Sequence, residues 1–225
     1  MRASLLAEIQ QALGQAVIPS LTAADAMDDL YEAYVFGLLL KAARIERGSV
    51  SLMSIAGGAL GGTFTFRTSP GYLNSTRHDY GYAIIRFPRC PALEAHVGVR
   101  VAGKSNVLHE CDVCIIQESE AELCRRSTTR VAPRSAKLVI AVEAKFYTTD
   151  LGLHLGRAFL GLVRDLSADS KFFVFNREAE SIEKLLSHTR ELWENNILPS
   201  NPIQVTRLIN AFQTAFKDYK ARARL

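Results

Sequence analysis

The nine residues KLVIAVEAK, at positions 137–145, are the most informative stretch of this sequence. Five consecutive apolar residues, rich in side chains branched at the β carbon, predict a β-strand. Side chains alternate between the two faces of a strand, so Ala141, Glu143 and Lys145 are expected to share one face. The charged residues therefore come only at the C-terminal end of an apolar strand.

A second apolar strand with acidic residues precedes it, LHECDVCII at positions 108–116. Alternation places Glu110 and Asp112 on the same face of this strand. Carboxylates on an otherwise apolar strand are costly unless something neutralises them. We therefore expect the two strands to be neighbours and to form a small acidic pocket that contains one ammonium group, that of Lys145.

Such a pocket suits a divalent cation. Mg²⁺ prefers hard oxygen ligands and keeps several waters, so two or three carboxylates and a substrate phosphate would complete its coordination. A metal ion there would polarise a phosphoryl oxygen and lower the pKa of water, while a nearby lysine would orient the water or offset developing charge. Asp112, Glu143 and Lys145 supply these groups, and Glu110 is either a further ligand or a solvent-exposed side chain.

The rest of the chain alternates between helical and strand patterns. Helices are predicted at 4–17, 22–47, 150–166, 181–193 and 202–220, and strands at 63–67, 82–87, 94–101, 107–117, 137–144 and 171–175. This order predicts an α/β fold with a central mixed β-sheet flanked by helices. Without a clear linker, we expect a single domain over 1–225, with a core at about 28–175 and a C-terminal helical extension at about 181–222.

The two strands and the helix after them resemble the PD-(D/E)xK nuclease superfamily, whose members share the restriction-endonuclease-like fold. The signature is an acidic residue on one strand, then Glu/Asp-x-Lys at the end of the next strand; here these are Asp112 and Glu143-Ala144-Lys145. Many members also place a glutamate on a helix before the sheet, and Glu32, in the apolar stretch 30–40, matches it. Cys111 stands where the family name has proline.

The resemblance implies a metal-dependent phosphodiesterase. Asp112 and Glu143 would hold Mg²⁺, for which Mn²⁺ can substitute, Lys145 would assist the attacking water, and Glu32 would be an accessory catalytic residue and ligand. The expected substrate is nucleic acid, most often DNA, and the expected enzyme is a DNA endonuclease in a bacterial defence, restriction or mobile-element setting. A partner protein of a defence system and a homodimer or higher homo-oligomer are also expected, because cutting both strands of a duplex is easiest with two active sites.

Several arginines are candidates for contacts with nucleic acid. Arg157 lies on the helix after the motif. Three others, Arg125, Arg126 and Arg130, lie between the two β-strands of the motif, where an extended loop or hairpin would reach toward bound nucleic acid. For each, an ordinary solvated arginine is the alternative. The whole chain can likewise be a non-catalytic subunit that keeps this fold for nucleic-acid binding or assembly.

Composition limits the remaining possibilities. The formal net charge is +4 and apolar residues make up 48%, which excludes wholesale disorder and allows, without requiring, a polyanionic partner. The longest apolar run is far below the roughly 20 residues that span a bilayer, so no membrane association is expected. Four cysteines without an export signal are expected to be thiols in the cytoplasm. Cys111 and Cys114 are predicted to be core residues on opposite faces, and His109 a hydrogen-bonded structural residue.

Overall fold

A computed structural model describes residues 1–223, and its main feature is a seven-stranded mixed β-sheet. The sheet contains β2 (Ser49–Ser54), β4 (Gly81–Arg86), β5 (Leu93–Ala102), β6 (Leu108–Gln117), β7 (Leu138–Lys145), β8 (Ser170–Phe175) and β9 (Leu192–Glu194), in the order β2-β4-β5-β6-β7-β8-β9. Strands β2, β4, β5, β6 and β7 pair antiparallel, whereas β8 and β9 continue the sheet parallel to β7. Two short strands, β1 (Val17–Pro19) and β3 (Gly62–Phe64), form a separate parallel pair.

Helices cover both faces of the sheet. They are α1 (Arg2–Leu13), α2 (Met27–Ile45), α3 (Glu118–Arg126), α4 (Leu153–Asp165), α5 (Glu180–Thr189) and α6 (Pro202–Ala223). The largest core cluster joins α1, α2 and α6 to one face of the sheet, and a smaller one joins α4 and α5 to the other face near β8. The prediction of an α/β fold with a mixed central sheet flanked by helices is therefore confirmed.

Helix α2 is the central helix of the fold. Its residues from Leu30 to Ala43 are buried except Glu32 and Lys41, as expected of a helix that is apolar on nearly all sides. Asp28 and Asp29 lie in its first turn, where negative charge is favourable. A Cβ atom at Gly37 would lie 3.0 Å from the Cβ of Ala12, so the glycine permits the close approach of α1.

Some element boundaries differ from the predictions. Helix α1 ends at Leu13 rather than near position 17, because Gly14 (φ 91°) stops it and Val17 enters β1. Helix α5 ends at Thr189, where Arg190 adopts the left-handed conformation, and Trp193 lies on β9 rather than on a helix. Strands β1, β2 and β9 and helix α3 were not predicted from the sequence pattern.

The alternation of side chains breaks in the middle of β5 and β6. Val97 and Val113 pair in the main core, whereas the next pair, Val99 and Cys111, lies in a second cluster. Gly98, between them, has φ 62°, a backbone conformation that favours glycine. The backbone of β5 is rotated at Gly98, so Val99 lies on the opposite face from Val97 instead of on the same face.

This break overturns one prediction. Cys111 and Cys114 are buried, as expected of core residues, but both belong to the second cluster and do not lie on opposite faces. The sequence pattern assumed an uninterrupted alternation, and Gly98 interrupts it beside Asp112. The four cysteines, all within the described residues, form no disulfide.

Among the helices in residues 1–223, none combines the length and the apolar composition that crossing a membrane requires.

Candidate active site

Asp112, Glu143 and Lys145 meet at one end of the β6–β7 pair. Asp112 is 3% exposed, and its Oδ2 accepts hydrogen bonds from the backbone N–H of Ala144 at 2.8 Å and from the ammonium of Lys145 at 2.9 Å. The same ammonium lies 2.8 Å from Oε1 of Glu143. Lys145 thus bridges the two carboxylates, and the sequence prediction of an acidic pocket with one ammonium matches this geometry.

The strand register accounts for this arrangement. Val113 of β6 is opposite Val142 of β7, so Asp112 and Glu143 follow at the next position on each strand. Directly opposed residues in an antiparallel pair have Cα atoms about 4.5–5.5 Å apart. The apolar residues of both strands secure the register in the core, and the charged residues come where β7 leaves it.

The electrostatics of this cluster show a surplus of negative charge. Burial and the nearby Asp112 carboxylate raise the pKa of Glu143 to about 7. Burial would lower the pKa of the Lys145 ammonium, but the charges of Asp112 and Glu143 outweigh burial and raise it above its ordinary value. The lysine therefore stays charged, and it is shared by more carboxylates than one cation can neutralise.

Glu32 brings a third carboxyl group to the cluster from α2, which packs against β6 and β7. Burial and the Asp112 charge raise the pKa of Glu32 to about 9, and Lys145 partly offsets this. Glu110 is exposed on β6, and its pKa is raised by partial burial and by Asp112 and lowered by Lys145 and Arg100. The structure thus brings all four predicted acidic residues into one electrostatic environment, with Glu110 at its rim.

The chemical type of the donors, but not their spacing in this structure, suits a hard divalent cation. Carboxylate oxygens are the ligands that Mg²⁺ prefers, and burial together with the Asp112 carboxylate raises the pKa values of both Glu32 and Glu143. Within residues 1–223, no group of three or more acidic, histidine or cysteine side chains is spaced as a metal site. The Lys145 ammonium instead occupies the position between Asp112 and Glu143.

The arginines predicted to contact nucleic acid lie in different environments. Both Nη atoms of Arg125 donate to the buried carboxylate of Glu94, at 2.8 and 2.6 Å, so this guanidinium is committed inside the protein. Arg126 is exposed and forms an ion pair with Glu122, one turn earlier in α3. Both lie on a helix rather than on the predicted extended loop or hairpin.

Arg130 and Arg157 are both exposed, and neither forms an ion pair with a described carboxylate. Arg130 lies in the loop after α3 and lines an open cavity. Arg157 lies on α4. The structure therefore leaves these two side chains available to a ligand, while Arg125 is engaged.

Two further arginines of interest were missed by sequence reasoning. Arg77 and Arg100 line the same cavity as Arg130. The three positions are far apart in the sequence, so no local pattern joins them. The Cα register of Arg100 with Glu110 places this cavity beside the acidic cluster.

His109 has a structural role, as predicted. Its Nε2 hydrogen-bonds to Oδ2 of Asp165 at 2.7 Å. This bond, together with hydrogen bonds from Ser105, lowers the pKa of Asp165 to about 2. His109 thus fixes the end of α4 to β6 through this bond.

Comparisons with models of protein families, with curated proteins and with solved structures found no significant match to this chain. The function of the site must therefore be inferred from its side chains.

Proposed function

We propose that this chain is a metal-dependent nuclease of the PD-(D/E)xK type, which hydrolyses phosphodiester bonds and acts on DNA. One observation carries the proposal: the Lys145 ammonium lies within 2.9 Å of Asp112 and 2.8 Å of Glu143, on two adjacent strands, with Glu32 approaching from α2. A glutamate on a helix before the sheet, an acidic residue on one strand and Glu-x-Lys on the next are the elements of the superfamily's active site that this chain resembles.

The proposed roles divide between metal binding and assistance to the attacking water. Asp112, Glu143 and Glu32 would hold Mg²⁺, or Mn²⁺ in its place, and Glu110 would add a ligand at the rim. When bound, the ion would supply Lewis-acid polarisation of the scissile phosphate and favour deprotonation of the attacking water. Lys145 would orient that water and offset the negative charge that develops at phosphorus.

The backbone supports these roles. The N–H of Ala144 fixes one oxygen of Asp112, which leaves the other carboxylate oxygen for a ligand. Because Asp112 is held on a strand in the core, its position does not depend on a mobile loop. The site is therefore organised before substrate binds.

The proposal is tested by cleavage of supercoiled plasmid and of single-stranded DNA with Mg²⁺, Mn²⁺ or EDTA. We expect metal-dependent cutting by the natural chain and a loss of about 100-fold or more in Asp112→Asn, because removal of one preorganised electrostatic group has a cost of this size. Asp169→Asn is the matched control, since Asp169 is exposed, pairs with Arg222 and precedes β8 at the other end of the sheet.

The outcomes separate the nuclease from its alternative. DNA cutting that is lost in Asp112→Asn and retained in Asp169→Asn would support the nuclease. Equal binding of DNA by all three proteins, with no cutting under any metal, would instead favour a non-catalytic binding or assembly subunit.

The setting of this activity is also proposed. Two copies would place two active sites on a duplex, so we propose a homodimer, which light scattering of the purified chain measures directly. The unbridged cysteines suit a reducing cytoplasm, where a nuclease of a bacterial defence, restriction or mobile-element system would act, with a partner protein of that system.

A further inference from the structure

A second site adjoins the acidic cluster. It is an open cavity of about 720 Å³ between the loop at 70–77, the end of β5 and the loop at 128–130, called here the basic cavity. Its charged lining residues are Arg77, Arg100 and Arg130, and no acidic side chain lines it. None of these three arginines forms an ion pair with a carboxylate of the described residues.

The basic cavity is built by specific contacts rather than by a chance gap between loops. The N–H of Gly71 donates to the carbonyl of Gly98, and the N–H of Arg100 donates to the carbonyl of Gly71, both at 2.9 Å. The side-chain amide of Asn74 donates to the carbonyls of Ser127, at 2.9 Å, and Thr129, at 2.6 Å. The two loops are thus attached to β5 and to each other.

A further positive charge lies behind this cavity. Arg67 is 5% exposed, and its Nη2 has no hydrogen-bond partner in the described part of the chain. Its guanidinium lies 3.9 Å from the ring centroid of Tyr80. A Cβ atom at Gly71 would lie only 2.6 Å from Nη1 of Arg67, so the glycine leaves room for the arginine directly behind the cavity wall.

The chemistry of the lining selects the ligand. Guanidinium groups bind phosphate through paired N–H donors, and the remaining lining includes hydroxyl and amide side chains, among them Ser75, Thr76 and Asn74. Such groups contact sugar and phosphate and carry no sequence information. Ligand sites commonly measure about 300–1,000 Å³, so this cavity exceeds the needs of a single phosphate, and its open side lets a chain continue.

The position links the basic cavity to the acidic cluster. Arg100 is paired with Glu110 in the β5–β6 ladder, and Gly98 lies at the level of Asp112. Adjacent strands lie about 4.8 Å apart. A strand of nucleic acid in the cavity would therefore reach the carboxylates within a short distance.

We propose that the basic cavity is a subsite for backbone phosphates of the nucleic-acid strand that enters the acidic cluster. This inference rests on the proposed nuclease function, and it adds Arg77 and Arg100 to Arg130 as the residues that bind the strand. Binding there is independent of base sequence.

The test measures binding without cleavage. A fluorescent 20-nucleotide single strand and a 20-base-pair duplex are titrated in EDTA from about 50 to about 200 mM salt. The variant is Arg77→Gln/Arg100→Gln/Arg130→Gln. Its control is Arg47→Gln/Arg190→Gln/Arg207→Gln, which removes the same charge from exposed positions outside the cavity. Circular dichroism melting confirms that each protein is folded.

We expect the variant to bind at least about tenfold more weakly than the control. The slope of log affinity against log salt should shrink by about 2 for the single strand and about 3 for the duplex, since each phosphate contact contributes about 0.7 or 0.9. A variant that melts like the control but shows the same slope as the control would overturn the proposal.

Two further arms keep this result separate from the nuclease proposal. Binding of tripolyphosphate is measured directly by calorimetry. If tripolyphosphate binds through the three arginines while neither oligonucleotide binds, the cavity takes a small phosphorylated molecule and the proposal is wrong. Cleavage is then measured with Mg²⁺. Arginine-dependent binding with no metal-dependent cutting would support the subsite and reject the nuclease.

Discussion

Two groups of charged residues lie inside this fold, and they are compensated differently. In one, the Glu94 carboxylate is fully buried and receives both Nη atoms of Arg125, with His96 at 2.9 Å. In the other, a single ammonium, that of Lys145, is shared by Asp112 and Glu143, with the carboxyl of Glu32 nearby. The first group has its charges matched, and the second has more negative charge than positive.

The pKa values record this difference. Burial acts to raise the pKa of Glu94, but the hydrogen bonds from Arg125 and His96 outweigh it and lower the pKa. The pKa values of Glu143 and Glu32 are instead raised, to about 7 and about 9. Removing one partner from a matched buried group is costly, whereas a buried group whose charges are incompletely compensated lowers stability and is a candidate functional site.

Arg125→Ala gives the largest expected effect, because it breaks the matched group. Loss of the guanidinium leaves the Glu94 carboxylate buried without its main partner, and removal of one member of a buried pair costs about 3–5 kcal/mol of unfolding free energy. Urea unfolding measures this quantity. Arg126→Ala is the control on the same helix and should stay within about 0.5 kcal/mol, since its ion pair with Glu122 is exposed.

Gly98→Ala tests the connection between the two groups. Gly98 has φ 62°, and a Cβ atom there would lie 3.1 Å from the Cβ of Arg67. We expect a loss of about 1–3 kcal/mol in unfolding free energy, from backbone strain. The proposed metal-dependent activity should fall as well, because Gly98 lies at the level of Asp112. Unchanged stability would mean that the break in β5 does not depend on glycine.

Glu32→Gln should increase the free energy of unfolding when no divalent ion is present, whereas the two substitutions above decrease it. Folding raises the pKa of Glu32 from 4.5 to about 9, so the unfolded chain releases this proton more readily, and stability is lost as the pH rises above 4.5. Replacing the Glu32 carboxyl group with an amide removes this pH-dependent loss of stability. We expect a gain of about 1 kcal/mol or more at about pH 8 and no gain at about pH 4, measured by urea unfolding. A loss at about pH 8 would contradict a surplus of negative charge.

His96 gives the smallest effect, a pH dependence of the matched group. Burial lowers the pKa of His96 below its ordinary 6.5, so below that pH the unfolded chain binds the proton more readily than the folded chain. Stability from this group is therefore complete above about pH 6.5 and declines as the pH falls. His96→Gln should flatten the melting temperature between about pH 7 and about pH 5, relative to the natural chain. An identical pH profile in the variant would contradict the assignment.

The sequence predicted the acidic pocket because its signal is local. Charged residues at the ends of apolar strands stand out in a linear pattern, and the register of β6 and β7 follows from their apolar residues. The faces of Cys111 and Cys114 were predicted wrongly, because the change of face arises at Gly98 on a neighbouring strand. The sequence of β6 does not show that the alternation is interrupted on its neighbour β5.

Edge elements and distant contacts were not predictable in the same way. Strand β2 reads SVSLMS, in which the alternation of serines with apolar residues breaks where Met53 follows Leu52, and β9 has only three residues. The basic cavity depends on Arg77, Arg100 and Arg130, which are brought together by backbone hydrogen bonds of Gly71 and by the amide of Asn74. Such contacts arise only after the chain has folded.

The Asn74 amide has a kinetic consequence for the basic cavity. With the two loops already attached to each other in the unliganded chain, the arginines need no collective rearrangement before they meet an incoming strand, and little conformational entropy is lost on capture. Association should then proceed close to the electrostatically steered limit, with dissociation setting the differences among ligands. Under the proposed function, Asn74 would thus prepare this surface for rapid association with a polyanion.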